Sequence, residues 1–242
     1  MRAVPPDLGL PQAFAIGLIF GLWGFYSFIL RHIGRGSLNS QLHAVRRQWL
    51  RMHKDIGRQY RMFDAVLLGH ISNSVSYFGS ATLLVLAGLV GALVNVNRIY
   101  GTARELPFLA PMSSELFTFY FGTLALILGL SFFAFTYALR KMSYTFAMLG
   151  GLQDARDDSP DSLLMVEQTA TVLTEAVKSI NNGIRGFYYA IAALFLFAGP
   201  YYCIAATVCI TGLLYYRQML APTARAIGRY VDALERLQKE KE

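Results

Sequence analysis

Four long stretches without a charged side chain constrain this chain more than any other feature of its sequence. They are residues 12–30, 75–96, 116–139 and 187–216. Each is long enough to cross a hydrocarbon core, which takes about 20 helical residues. Only 15% of the residues are charged, whereas an average soluble domain carries about 25%. The sequence therefore predicts an all-α integral membrane protein and argues against a soluble fold.

The positions of Lys and Arg predict how many times the chain crosses the membrane. Most of the 22 basic residues lie in three segments, 31–64, 140–186 and 217–242. If 187–216 turns back at Gly199-Pro200, all three segments share one side, and the basic residues divide 19 to 3. Basic loops remain cytoplasmic, so we expect five transmembrane helices in a bacterial inner membrane, with an outside N-terminus and a cytoplasmic C-terminus. The alternative is four transmembrane helices, with 187–216 as one kinked span.

We expect residues 1–242 to form a single membrane domain with these elements. The predicted spans are about 12–30, 75–96 with a cytoplasmic extension from 65, 116–139, 183–199 and 200–216. Three cytoplasmic amphipathic helices are predicted at about 38–63, 160–181 and 220–240, where apolar residues recur three or four apart between charged ones. The second of these should begin after Asp158-Ser159-Pro160, because a capping residue before proline is a helix start signal.

The amphipathic helix at 38–63 carries a basic face. Its members are Arg46, Arg47, Arg51, Lys54, Arg58 and Arg61. Basic helices beside a membrane bind the anionic lipids of the cytoplasmic leaflet, so we interpret this face as a lipid contact and do not predict nucleic acid as a partner. The alternative interpretation is that the helix extends the second span and packs on its neighbours.

Polar residues concentrate at the start of the second span and form a candidate intramembrane stripe. They are His70, Asn73, Ser76, Tyr77 and Ser80. Polar groups in a membrane helix either serve function or hydrogen-bond neighbouring helices. The first span has a small-residue face at Gly17, Gly21 and Gly24. This face indicates close contact with another helix or dimerisation. We therefore also expect a homo-oligomer or another membrane protein as a partner.

No motif in the sequence predicts catalysis. None of the four histidines has another at the i+3 or i+4 spacing of helical metal ligands. The segment from Asp157 to Asp161 matches a D-D-x-x-D pattern that some isoprenoid enzymes use for magnesium diphosphate, but no second acidic cluster accompanies it. We therefore predict no cofactor, no metal and no enzymatic activity.

Several strings together resemble an uncharacterised family, domain of unknown function 599. They are Trp49 with its arginine neighbours, 64–69, 76–88, Phe135-Thr136-Tyr137 with Leu139-Arg140, and 181–193. The resemblance extends over about Gly24 to Arg217 and implies a polytopic inner-membrane protein without an assigned reaction. The family often has a lysine and an asparagine where this chain has Ala134 and Ser143.

The resemblance directs attention to Asp64, Ser76, Arg140 and Arg185. In the five-span arrangement Asp64, Arg140 and Arg185 each lie at the cytoplasmic end of a span. We therefore predict a polar cluster in which Asp64 pairs with Arg140 or Arg185, since a buried charge needs a partner.

Three functions fit these features. The first is a non-enzymatic accessory, assembly or scaffold subunit that binds a partner protein or anionic lipid. The second is a small oligomeric channel or transporter for an anionic solute, lined by the polar stripe. The third is a membrane enzyme that processes lipids or isoprenoids at the aspartate-rich segment.

Overall fold

The chain is helical throughout the part that the structure describes. A computed structural model describes the backbone of residues 5–33, 38–55, 58–152 and 159–240, and the side chains of these except 27, 29–33, 53–55 and 58–63. These residues contain no strand, and 88% of them are helical. The helices are α1 Leu10–Ile33, α2 Leu38–Asp55, α3 Arg58–Val94, α4 Val96–Ala103, α5 Ser114–Gly151, α6 Pro160–Leu194, α7 Pro200–Met219 and α8 Pro222–Lys239. The all-α prediction is confirmed.

Proline and its flanking residues determine where three of the helices begin. α6, α7 and α8 start at Pro160, Pro200 and Pro222, where the missing N–H would have had no helical partner. Ser159 caps α6, because its side chain accepts a hydrogen bond from the backbone N–H of Ser162 at 3.3 Å. α3 begins earlier than the predicted extension from 65, since no proline interrupts residues 58–94.

Three helices are long and apolar enough to cross a membrane. They are Asp64–Val94 of α3, Ser114–Gly151, which is α5, and the stretch Pro200–Lys239, which comprises α7 and α8. Leu10–Tyr26 is a shorter apolar helix. These lengths and compositions are those of a membrane protein.

The helices divide into two compact units. Unit 1 comprises residues 1–26, 80–133 and 182–214, and unit 2 comprises 27–79, 134–181 and 215–242. The core of unit 1 is rich in aromatic side chains. Trp23, Tyr120 and Tyr189 are buried there, and Phe197 packs on Phe117 with ring centroids 5.2 Å apart.

Helices approach each other closely at Gly186 in unit 1. A Cβ atom on Gly186 would lie 3.0 Å from the Cβ of Ser131 and 3.0 Å from Cζ2 of Trp23. Real Cβ atoms rarely come so near to other heavy atoms, so α6 approaches α1 and α5 here only because residue 186 has no side chain. Gly17 and Gly21, by contrast, have no neighbouring atom within 4 Å of such a Cβ.

The chain reverses direction between α6 and α7. Gly199 has a φ of +131°, a conformation that side chains with a Cβ rarely adopt. The hydroxyls of Tyr189 and Thr211 lie 3.1 Å apart across the turn. One continuous helix would separate these residues by about 30 Å. α6 and α7 therefore form an antiparallel hairpin.

Unit 2 is a helical bundle organised around Trp49. One apolar cluster joins Leu50 of α2 to Val166 and Ala170 of α6. A second cluster contains Leu68, Met142, Leu173 and Ala176, and Trp49 and Leu149 pack against both clusters. These clusters pack α6 against α2. α8 packs against α2, where Gln238 Nε2 donates a hydrogen bond to Gln48 Oε1 at 3.1 Å.

Candidate functional site

The three members of the predicted polar cluster have different surroundings. Asp64, in unit 2, accepts a hydrogen bond from Trp49 Nε1 at 3.2 Å. Arg140 is exposed on α5 in the same unit. Arg185 belongs to unit 1, where its guanidinium lies 4.9 Å from the ring centroid of Tyr26, a favourable cation–π geometry. The ion pair between Asp64 and either arginine stays a prediction.

Arg185 lies beside buried aromatic side chains. Tyr26 is 2% exposed and Trp23 is 6% exposed. The hydroxyl of Tyr26 and the indole Nε1 of Trp23 are buried and have no hydrogen-bond partner among the described residues. Unsatisfied buried polar groups are few in folded proteins, so this part of unit 1 combines a cation with two uncompensated polar atoms.

The predicted intramembrane stripe lies on the outward face of α3. All five of its residues are exposed: His70, Asn73, Ser76, Tyr77 and Ser80. The described part of the chain therefore leaves this face uncovered, and the choice between its two interpretations stays open. The face is available to lipid, to a second copy or to another protein.

The exposed face of α3 also continues beyond the predicted stripe in a heptad pattern. The residues at alternating steps of four and three are Asn73, Tyr77, Ser80, Leu84, Ala87, Gly91 and Val94, and all are exposed. We call this set the α3 seam. Sequence reasoning missed its second half, although continuing the Asn73–Tyr77–Ser80 spacing along the apolar residues would have found it.

Two of the six predicted lipid-binding residues turn toward α6. Arg46 donates to the carbonyl of Asn39 and to the hydroxyl of Thr174, both at 3.1 Å. Arg47 lies 3.7 Å from a carboxylate oxygen of Glu167. Arg51 is half-buried, and the side chains of Lys54, Arg58 and Arg61 lie outside the described residues. Lipid binding by this face stays a prediction.

A polar cluster that the sequence did not predict joins α2 to α6. His43 Nδ1 lies 3.0 Å from the hydroxyl of Thr174, and its Nε2 lies 3.0 Å from a carboxylate oxygen of Glu167. Arg47 approaches the same carboxylate. His43 and Glu167 are 124 positions apart in sequence, so no local spacing signals this contact.

Comparison with known proteins assigns the chain to a family. The family described as "Protein of unknown function, DUF599" matches residues 14–223, which is most of the chain. The chain belongs to the DUF599 family. No curated protein and no solved structure matches it. The predicted resemblance is thereby confirmed, and it brings no reaction with it.

The described residues of this DUF599 protein offer no cluster of three or more His, Cys, Asp or Glu that could hold a metal ion. Asp157 and Asp158 of the aspartate-rich motif lie outside the described residues. Asp161 is exposed in the first turn of α6, where a carboxylate interacts favourably with the helix dipole. Both cysteines are free thiols in the structure.

Acid should selectively weaken the contact between α2 and α6 in this DUF599 protein. The hydrogen bond from His43, followed by the charges of His43 and Arg47, lowers the pKa of Glu167 despite its partial burial. Because the pKa of Glu167 is lower in the folded protein, the ionised carboxylate stabilises the fold above the unfolded-state pKa of about 4.3. This stabilisation is lost as the pH falls through the folded-state pKa. The effect should be small, because the Glu167 side chain is 39% exposed.

The measurement is thermal unfolding of the detergent-solubilised protein from pH 7 downward. Wild type should have a higher Tm than Glu167→Gln near neutral pH, and the difference should shrink below a pH of about 4. Glu235→Gln, on the exposed face of α8, controls for the loss of any carboxylate. A Tm difference that grows on acidification would contradict the expected sign.

Proposed function

We propose that this DUF599 chain is a non-enzymatic inner-membrane subunit with an assembly or scaffold role. It self-associates through the α3 seam and carries a partner protein or anionic lipid on its cytoplasmic helices. The observation behind this proposal is the outward position of the polar stripe, Asn73 to Ser80, on an apolar helix.

α3 is little buried by its own chain, as is the segment Pro200–Lys239. In the most apolar stretch of α3, 11% of the residues are buried, against 44% in the corresponding stretch of α5. Polar and small side chains favour association between membrane helices, because they allow close packing and interhelical hydrogen bonds. The seam contains both kinds, since Ser80, Ala87 and Gly91 are small and Asn73 is polar.

The occupant we propose for the seam is a second copy of the same chain. Asn73 has a side-chain amide that both donates and accepts, so two symmetry-related copies can satisfy each other. A polar Asn at one core position of a heptad sets register and oligomeric state in helical pairs. A twofold pair also buries the same seam on both copies and leaves no open surface for further growth.

The proposal places five helical spans in the membrane. The antiparallel α6–α7 hairpin supports this count, because it allows 183–199 and 200–216 to cross separately. The positive charge then lies on the cytoplasmic side together with unit 2 and the C-terminus. In this arrangement, 38–63, 160–181 and 220–240 are the cytoplasmic amphipathic helices.

A channel or transporter for an anionic solute is the second candidate. An outward-facing polar stripe can line a pore only where several copies meet, so this function also requires oligomerisation. Anion flux through reconstituted wild-type protein that is abolished in Asn73→Leu would favour the channel. A dimer without flux would favour the assembly role.

The seam predicts a change of oligomeric state on one substitution. Full-length wild type in mild detergent should have the molecular mass of a dimer by light scattering after size exclusion. Asn73→Leu should shift the population toward monomer, because it removes the interchain hydrogen bonds, and a loss of about 1 kcal/mol changes the dissociation constant by about fivefold.

Ser74→Leu is the matched control for this experiment. Ser74 is exposed beside Asn73, but its hydroxyl already donates to the carbonyl of His70 at 2.9 Å within α3. The Ser74→Leu variant should therefore leave the dimer intact. A monomeric wild type in both detergent and nanodiscs, or equal weakening by both variants, would rule out the seam as the interface.

A further inference from the structure

A groove in unit 2 combines arginines with side-chain amides. It has a volume of about 440 Å³ and lies between the start of α2, the end of α7 and α8. Its polar lining consists of Gln41, Gln218, Arg225, Arg229 and Asp232, with Gly228 between the two arginines. We call it the α8 groove. Its volume lies in the range of about 300–1,000 Å³ that is usual for small-molecule sites.

We infer that the α8 groove binds the phosphate of a phospholipid headgroup that carries one negative charge and free hydroxyls. The inference rests on the membrane topology of the proposed function, in which α7 crosses the bilayer. It does not depend on self-association through the α3 seam.

The position of the groove along the chain points to a headgroup. The charge-free stretch of α7 ends at Tyr216, and the lining of the groove begins at Gln218. A helix rises about 1.5 Å per residue, so the groove begins about 3 Å beyond the apolar stretch. Tyr215 and Tyr216 are residues that favour the interface between hydrocarbon and water. The groove therefore opens at the depth of lipid phosphates.

The two arginines supply the charge that a phosphate needs. Arg225 and Arg229 are four residues apart on α8, so they share a face of the helix, and both are exposed. A guanidinium binds phosphate oxygens through two parallel N–H donors. Gln41 of α2 and Gln218 of α7 add amide donors to the lining.

The remaining lining residues restrict which lipid fits. Asp232 contributes a carboxylate that already has a partner in the chain. The carboxylate repels a second negative charge, and its remaining lone pairs can accept hydrogen bonds from headgroup hydroxyls. Leu38, Met219 and Ala224 form the apolar part of the lining, suited to the glycerol backbone and the first acyl carbons. This combination favours a phosphatidylglycerol-type headgroup over a free phosphate ion, which has no apolar portion.

Gly228 leaves the groove open. A Cβ at this position would lie 3.9 Å from Oε1 of Gln41, so alanine would fit, whereas a larger side chain would project into the space between α8 and α2. Gly228→Phe therefore fills the groove and keeps every charge. It distinguishes a shaped site from general electrostatic attraction.

The test is a thermal-shift titration of full-length, delipidated protein in a neutral detergent. The ligands are short-chain phosphatidylglycerol, short-chain phosphatidylcholine and inorganic phosphate. We expect phosphatidylglycerol to raise the Tm at concentrations at least tenfold lower than either of the other two, and the shift to weaken at high salt.

The variants locate the binding site. Arg225→Gln with Arg229→Gln should weaken phosphatidylglycerol binding about 20-fold or more, since each basic residue near a membrane surface contributes about fivefold. Arg236→Gln with Lys239→Gln removes the same charge from α8 outside the groove and should change binding by less than threefold. Gly228→Phe should also weaken binding at least tenfold.

Three outcomes would overturn the inference. Equal weakening by the two double variants would indicate non-specific attraction to the basic helix, and full binding by a folded Gly228→Phe would exclude the groove. Inorganic phosphate as potent as phosphatidylglycerol would make the ligand a free ion. Phosphatidylglycerol binding should persist in Asn73→Leu, because the groove lies within one chain and does not require the dimer.

Discussion

Gly186→Leu should destabilise unit 1 by about 3 kcal/mol or more and deplete the full-length protein from the membrane. A leucine at this position would drive its Cβ into Ser131 and Trp23, each 3.0 Å away. Ser131 is fully buried and Trp23 nearly so, so neither can move aside without separating α6 from α5 and α1. The measurement is membrane yield together with the Tm of the purified protein.

Gly212→Leu provides the matched control for Gly186→Leu. Gly212 lies in α7, is exposed, and has no atom within 4 Å of a Cβ built on it. The substitution is chemically the same and should leave yield and Tm close to wild type. If the two variants behaved alike, the close approach at Gly186 would not be what stabilises unit 1.

Trp49→Ala should destabilise unit 2 by about 3 kcal/mol. This is the lower end of the destabilisation caused by truncating a large aromatic residue to alanine, because Trp49 is only partly buried. The ring packs against both apolar clusters of unit 2, so its removal leaves a cavity beside each. Trp49→Phe should recover most of this loss and lack only the hydrogen bond to Asp64, worth about 1 kcal/mol. Thermal unfolding of the three proteins measures both effects.

Substitutions of Asp64 separate its two possible roles. Asp64→Asn retains an oxygen that can accept the hydrogen bond from Trp49 at 3.2 Å, so it should resemble wild type if holding Trp49 is the whole role of the carboxylate. If Asp64 also neutralises an arginine, both Asp64→Asn and Arg140→Gln should lower stability. If both variants had the expression level and Tm of wild type, the predicted ion-pair cluster would be ruled out.

The sequence predicted the features that depend on local chemistry. Helical spans follow from charge-free stretches, because uncompensated charges do not enter hydrocarbon. The start of α6 at Pro160 and the turn at Gly199 follow from the backbone restrictions of proline and glycine. Each of these signals lies within a few residues of the structure that it predicts.

Contacts between distant segments could not be predicted in the same way. His43 meets Glu167 only because α2 packs on α6, and the two residues are 124 positions apart in sequence. Gly186 looks like any other glycine of a membrane helix until its neighbours are known. The spacing that revealed the polar stripe did not show whether the stripe faces a neighbouring helix or the outside of the chain. Periodicity identifies a face of a helix without showing what covers it.

The contact between α2 and α8 has a consequence for synthesis of the protein. Gln48 and Gln238 are separated by 190 residues, so a ribosome adding about 5–20 residues per second needs about 10 to 40 s to complete α8 after α2. During that interval the apolar face of α2 lacks its final neighbours on α6 and α8. The membrane surface is the nearest apolar phase, and nascent α2 should rest there until the C-terminal helix arrives.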